Sequence, residues 1–132
     1  MIYLQNNKGV AAVELALCLP ILILLVCGSI EFGLLFYNRQ VITNASREGA
    51  RAGIVAETGT ADIIQIVRNY CNGKLINLNG ANGLQADAVT VSAPDGDNDR
   101  TVTVTYVYDF LFGGILDFTD ITLSAQTIMR ME

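Results

Sequence analysis

Residues 9–37 read GVAAVELALCLPILILLVCGSIEFGLLFY, and this stretch decides how the chain must be organised. Its only charged residues are Glu14 and Glu31. An apolar helix of about 20 residues is long enough to cross the roughly 30 Å hydrocarbon core of a bilayer. The stretch therefore predicts one transmembrane helix over residues 10–37. Pro20 should kink that helix, because proline removes one backbone hydrogen bond.

A short polar segment, residues 1–9, precedes this helix and carries one basic side chain, Lys8. A conventional signal peptide is cleaved after its apolar segment, behind small residues, but here Gly28 and Ser29 lead into more apolar sequence. The small residue at the junction of polar and apolar sequence is instead Gly9. We therefore expect a leader-like start with a cytoplasmic N-terminus rather than an ordinary secretory signal.

Glu14 needs a partner, because a carboxylate inside an apolar helix is costly in lipid. If the chain were cut after Gly9, the new amino group on Val10 would lie about one helical turn from Glu14. That amino group, in the same chain or in a neighbouring one, could neutralise the carboxylate. The alternative is a glutamate that sits at headgroup depth, and the position of Gly9 favours the pairing.

Residues 38–57 continue the helix with an amphipathic pattern and contain no proline. Ala45, Gly49 and Gly53 are spaced by four, which lines up three small residues on one face. Each glycine costs about 1 kcal/mol of helix propensity relative to alanine. Close approach of another helix or of the following domain would compensate for that cost, whereas the alternative is a helix frayed at Gly53.

Residues 58–132 have the pattern of a small extracytoplasmic α+β domain. A short helix should start with Thr60 as its N-cap and stop at Asn72 and Gly73. Alternating sequence over residues 88–93, 101–108 and 121–129 predicts three strands of an antiparallel sheet. The predicted fold is therefore α+β, with a long N-terminal helix followed by one helix and a three-stranded sheet.

Enzymatic chemistry is not expected. The chain has no histidine, and it lacks both a phosphate-binding glycine loop and a nucleophile elbow. Its net charge of -5 argues against nucleic-acid binding, which needs clustered basic residues. We expect no cofactor, and Cys71 should be buried and inert, or else paired between chains.

Alternating aspartates before the second predicted strand are the one candidate metal site. Asp95, Asp97 and Asp99 resemble the first half of a calcium-binding EF-hand loop. The pattern then fails, because Arg100 replaces the glycine at position six and Tyr106 replaces the glutamate at position twelve. A polar hairpin turn is therefore favoured over a calcium site.

Four blocks of the N-terminal sequence resemble one known family. They are GVAAVELA at residues 9–16, LP at 19–20, IEFG at 30–33 and NASREGAR at 44–51, and the ending LSAQTIMRME at residues 123–132 is also similar. These blocks resemble the TadE-like family, the pseudopilins of bacterial tight adherence (Flp) pilus systems. The resemblance covers about 50 residues at the N-terminus, and residues 58–88 carry no family-specific pattern.

The resemblance implies a class III leader, residues 1–9, cut between Gly9 and Val10 by a prepilin peptidase. Glu14 would then be the fifth residue of the mature chain and, with Pro20, would serve assembly in the filament core. Implied partners are the membrane, a related pseudopilin, the major Flp pilin and the inner-membrane assembly platform.

The function expected from this resemblance is that of a minor pilin or pseudopilin, with a main filament subunit as the nearest variant. It would reside in the bacterial inner membrane with its C-terminal domain extracytoplasmic, or in the extracellular pilus. The alternative from another class is a membrane-anchored periplasmic binding module that assembles into no filament.

Overall fold

A computed structural model describes residues 7–54, 58–78, 80, 82–92, 96, 99–116 and 120–130, and the structural statements below concern those residues. Its elements in chain order are α1 (Asn7–Gly53), α2 (Thr60–Cys71), β1 (Val89–Val91), β2 (Asp99–Tyr108), α3 (Gly113–Leu116) and β3 (Ile121–Arg130). The strands form one antiparallel sheet in the order β1-β2-β3. The predicted α+β fold is confirmed, and the four-residue α3 is an addition to it.

The chain divides into two compact units, residues 1–33 and residues 34–132. The first unit is the N-terminal part of α1, which is long and apolar enough to cross a membrane by length and composition. None of its most apolar 18-residue window is buried inside the molecule. A helix with apolar side chains all round must be covered by lipid or by other helices.

The second unit contains the rest of α1, about five turns of helix. One face of this part is buried, with Ile42 and Ala45 fully inaccessible to solvent. They belong to a single apolar core together with α2 and the sheet, to which Val67 and Val104 contribute. The C-terminal part of α1 is therefore an integral part of this unit.

Alternation along β2 and β3 places one side of the sheet in that core. Val104 pairs with Val89 of β1 and with Ala125 of β3, and all three side chains are buried. β2 begins at Asp99, two residues earlier than predicted, because Asp99 pairs with Arg130 and forms an ion pair of 3.2 Å with it. β1 is shorter than predicted, with three residues.

The predicted N-cap of α2 is wrong. Thr60 is the first helical residue, and Gly59 is the N-cap. The carboxylate of Asp62 accepts a hydrogen bond from the Gly59 N–H at 3.3 Å, which satisfies a donor at the helix start. The predicted stop is correct, since Gly73 adopts a φ of 70° just after Cys71, a conformation that favours glycine. α1 ends at Gly53, and residues 55–57 of the predicted continuation lie outside the described residues.

Candidate functional site

The predicted cleavage and assembly residues all lie on α1. Val10 and Glu14 are exposed and one helical turn apart, and a side chain at Gly9 would meet nothing within 4 Å. Among the side chains that the structure describes, Glu14 has no hydrogen-bond or ion-pair partner. Pro20 lies inside α1, and α-helix continues on both sides of it. Glu14 is therefore a carboxylate in an apolar surface that is open to a partner from another molecule or from a new N-terminus.

Large apolar side chains surround Glu14 and Pro20 on the first unit. Those at least half exposed include Val10, Val13, Leu15, Leu17, Ile21, Leu22, Ile23, Leu24, Leu25, Val26, Ile30 and Phe32. Covering an apolar side chain of this size stabilises by about 1.5–3 kcal/mol. Contact with lipid or with other apolar helices would therefore stabilise this surface.

The small residues at the other end of α1 face the second unit's own core. Ala45 is fully buried, and a Cβ placed on Gly49 would lie 2.5 Å from Val67 Cγ2 and 3.3 Å from Val102 Cγ1. A Cβ on Gly53 would lie 3.1 Å from Arg100 Cδ. α2 and β2 are thus the neighbours that approach α1 closely at these glycines.

Two polar residues that the sequence pattern did not single out hold α1 in this unit. Asn38 is fully buried; its amide donates to the Ile76 carbonyl at 2.6 Å and accepts from the Ile76 N–H at 2.9 Å. Arg100 Nη1 donates to the carbonyls of Gly53 at 3.4 Å and Thr58 at 3.2 Å. A signal for Asn38 existed, because it is a polar residue at an apolar position of the buried helical stripe.

A cavity of about 360 Å³ lies at one end of the sheet in the second unit. Asn77, which is 4% exposed, forms one wall and donates to Asp109 at 2.9 Å. Tyr106 lines the same cavity, and its pKa is raised by burial. Asp87 and Asp120 stand on other parts of the lining. The cavity is therefore lined by carboxylate and amide groups, of which Asn77 and Asp109 are held by their hydrogen bond.

The remaining candidates are the three alternating aspartates, the last of which begins β2, and Cys71. Asp95 and Asp97 lie outside the described residues, and Asp99 is engaged by Arg130. Within the described part of the chain, no three His, Cys, Asp or Glu residues form a group that could hold a metal ion. Cys71 is buried, which raises the pKa of its thiol to about 11, so the thiol is protonated and unreactive at neutral pH.

The N-terminal part of α1 is thus exposed and apolar, and it carries Gly9, Glu14 and Pro20. Residues 9–51 match the family model described as TadE-like protein. The match confirms the resemblance seen in the sequence, and it indicates a pilin-like, pilus-associated protein anchored in a membrane. No curated protein and no solved structure gives a significant match.

The TadE-like segment covers the first unit and the first part of the second. It starts at Gly9 and includes Glu14, Pro20, Ala45 and Gly49. Gly53, the cavity and the whole sheet lie beyond it. The family match therefore supports a function for α1 only. Any function of α2 and the sheet has to be argued from the structure of those elements.

Proposed function

We propose that this chain is a minor pilin or pseudopilin that takes part in assembling a tight adherence type pilus, after a prepilin peptidase removes residues 1–9. The observation that carries the proposal is the match to the TadE-like family, which begins at Gly9 and follows a helix whose apolar side chains have no cover within the molecule. Insertion into the inner membrane would cover that helix first. Packing against the helices of other pilins would cover it in the filament.

Glu14 gives the assembly step its proposed specificity. A charged side chain costs about 2.5–3.5 kcal/mol at the centre of a bilayer and less near its surface, and Glu14 lies four residues after Val10, in the first turns of the apolar segment. After cleavage, the ammonium group of Val10 would stand one turn from Glu14 of the same chain, and it could equally reach Glu14 of a neighbouring subunit. An incoming subunit that paired the two charges would relieve this cost, so the pair would favour association over diffusion as a monomer.

The second unit would lie on the extracytoplasmic side, or on the surface of an extracellular pilus. About five turns of α1 belong to the core of this unit, and the match to the TadE-like family, which ends at residue 51, extends into them. The proposed partners are the membrane, the prepilin peptidase and other pilins or pseudopilins.

N-terminal sequencing and intact mass of the protein from native membranes test the processing step. The proposal expects a chain that starts at Val10. Gly9→Leu, which puts a bulky side chain at the scissile position, should leave the chain uncut. Gly28→Ala is the matched control, since this glycine lies in the same helix and also has open space around it. A start at Met1 in membranes with active peptidase would refute processing.

Glu14→Gln tests the assembly step separately from processing. It should leave membrane insertion and cleavage intact but reduce the amount of this protein that crosslinks to other pilins. Glu48→Gln is the control, because Glu48 is an exposed glutamate on α1 in the second unit. Equal crosslinking of both variants and the wild type would contradict a role for Glu14 in assembly.

A membrane-anchored binding module is the second candidate, favoured by the cavity in the second unit. Such a module needs neither cleavage after Gly9 nor an intact Glu14, because its helix serves only as a tether. An uncut chain whose second unit still bound its ligand would support this candidate.

The role of a minor subunit differs from that of a main filament subunit in abundance. Quantifying the protein in sheared pili separates the two.

A further inference from the structure

The side of the sheet that faces away from the core is covered by hydroxyl groups. Register places on this side Thr90 of β1, Thr101, Thr103, Thr105 and Val107 of β2, and Thr122, Ser124, Gln126 and Ile128 of β3. We call these nine residues the threonine face. Thr90 and the four residues of β3 are exposed, and the three threonines of the central strand are half-buried between their neighbours.

The threonine face carries no charge, although the chain has a net charge of -5. The ion pair between Asp99 and Arg130 lies beyond one end of the face, next to Thr101 and Ile128. Val107 and Ile128 add apolar area, being 37% and 59% exposed. The face is therefore neutral, rich in groups that both donate and accept hydrogen bonds, and apolar at two places.

The cavity of about 360 Å³ opens at the opposite end of this face. Thr105, Val107 and Thr122 belong both to the threonine face and to the lining of the cavity. Asp109 is fixed in the wall by Asn77, and the loop packs so tightly there that a side chain on Gly80 would collide with both. The cavity therefore adds prearranged hydrogen-bond acceptors to a neutral surface.

Neutral polysaccharides are the ligands that fit this combination. Their hydroxyl groups can donate to the carboxylates and amide oxygens of the cavity and exchange hydrogen bonds with the threonines, and their C–H faces can rest on Val107 and Ile128. Neither the threonine face nor the cavity lining has a lysine or arginine, and Arg130, next to Ile128 on the same side of the sheet, is paired with Asp99. A phosphorylated, sulfated or uronic acid polymer would therefore find no unpaired basic side chain among the described residues of this site.

We infer that the threonine face and the adjoining cavity form one elongated binding site for an uncharged polysaccharide chain. Strand propensity alone is another explanation for the threonines, because threonine favours strands in any context. It does not explain why a cavity lined by carboxylates continues the same surface. The site goes beyond the proposed function, which rests on α1 and assigns no role to this side of the sheet.

Affinity electrophoresis of the full-length protein tests the inference, with the gels containing dextran, glucomannan or soluble starch. Polygalacturonate serves as the charged comparison. The protein is kept in a polyoxyethylene detergent, because detergents with sugar headgroups would compete for the site. Retardation by at least one of the three uncharged polymers, and not by polygalacturonate, is the expected result. The test needs no pilus, so its outcome is independent of the assembly proposal.

Two double substitutions test whether the threonine hydroxyls themselves bind the polysaccharide. Thr103→Val combined with Thr122→Val removes two hydroxyls while keeping shape and strand preference, and it should weaken binding by roughly two- to tenfold for each hydroxyl. The double substitution by serine at these positions keeps the hydroxyls and should retain most of the affinity. Thr105 is left unchanged because its hydroxyl donates to the Ala88 carbonyl at 3.2 Å.

Asp120→Asn distinguishes a polysaccharide site from a cation site. Asparagine keeps the acceptor oxygen, so polysaccharide binding should persist, whereas binding of a cation such as Ca²⁺ in the cavity would be lost. The inference is overturned if none of the three uncharged polymers retards the protein, if the valine variant is retarded as strongly as the wild type, or if only polygalacturonate is bound. A thermal melt of each variant by circular dichroism confirms that it is folded.

Discussion

Gly49 is the position where α1 most closely approaches its neighbours in the second unit. A methyl group on its Cα would lie 2.5 Å from Val67 Cγ2 and 3.3 Å from Val102 Cγ1. Both valines are fully buried, and a β-branched side chain in a helix has essentially one χ1 rotamer, so Val67 cannot rotate away. Gly49→Ala therefore requires α1 and α2 to move apart.

Two opposing effects set the size of this perturbation. Alanine gains about 1 kcal/mol of helix propensity over glycine, and an extra methyl group in a packed core costs about 1–3 kcal/mol. A contact as short as 2.5 Å belongs in the upper half of that range, so the free energy of unfolding should fall by about 1–2 kcal/mol. In a Val67→Ala background the methyl group at 2.5 Å is gone, and the contact of 3.3 Å with Val102 Cγ1 remains. The same substitution should then raise the free energy of unfolding by up to about 1 kcal/mol.

Urea unfolding of the full chain in detergent micelles measures all four variants of this cycle. The near-ultraviolet circular dichroism signal, to which the buried Tyr106 and Tyr108 of the second unit contribute, follows the unfolding of that unit. The expected coupling between the two positions is about 2 kcal/mol. The reasoning fails if Gly49→Ala stabilises the wild-type chain, or if its effect is the same in both backgrounds.

Three further predictions concern the same unit. Asn38→Ala should lower the free energy of unfolding by about 2 kcal/mol or more, because it leaves the N–H and C=O of Ile76 without a partner. Gln40→Ala, at an exposed position of the same helix, is the control. Equal effects of the two substitutions in urea unfolding would contradict the argument. Arg100→Met keeps the apolar stem but removes the donor to two carbonyls, and it should cost about 1–2 kcal/mol in the same assay, with an unchanged urea midpoint as the contrary result. The Cys71 thiol ionises at a pKa of about 11 when folded, against an ordinary value of 9.0. In that interval only the unfolded chain loses the proton, so stability should fall by about 2–3 kcal/mol as the pH rises from 9 towards 11, and Cys71→Ala should remove this part of the pH dependence.

Most of the fold follows from local patterns in the sequence. The alternation of threonine with valine and tyrosine along β2 is enough to predict a strand with one face buried. The start of α2 was misassigned because Gly59 and Thr60 are both acceptable N-caps, and the choice depends on where the Asp62 carboxylate points. The four residues of α3 are too few to leave a periodic pattern, which is why they were not predicted.

The residues that hold α1 in the second unit depend on contacts between distant parts of the chain. Asn38 bonds to Ile76, and Arg100 bonds to Gly53, so in each case the partners are about forty residues apart. Nothing in the sequence near either residue indicates its partner. The cavity likewise requires the sheet and the loop at Asn77 to be in place before its lining exists.

Glycines on α1 differ in how closely other parts of the chain approach them. Gly28 and Gly33 have open space around them, whereas Gly49 and Gly53 face atoms of α2 and β2. Spacing by four sets Gly49 and Gly53 apart in the sequence, but it does not indicate whether another molecule or the chain's own domain fills the space beside them. Only the folding of α2 and the sheet fills the space beside the second pair. Close packing at the first pair would therefore have to come from another molecule, so bulky substitutions there should register in assembly, and those at the second pair in stability.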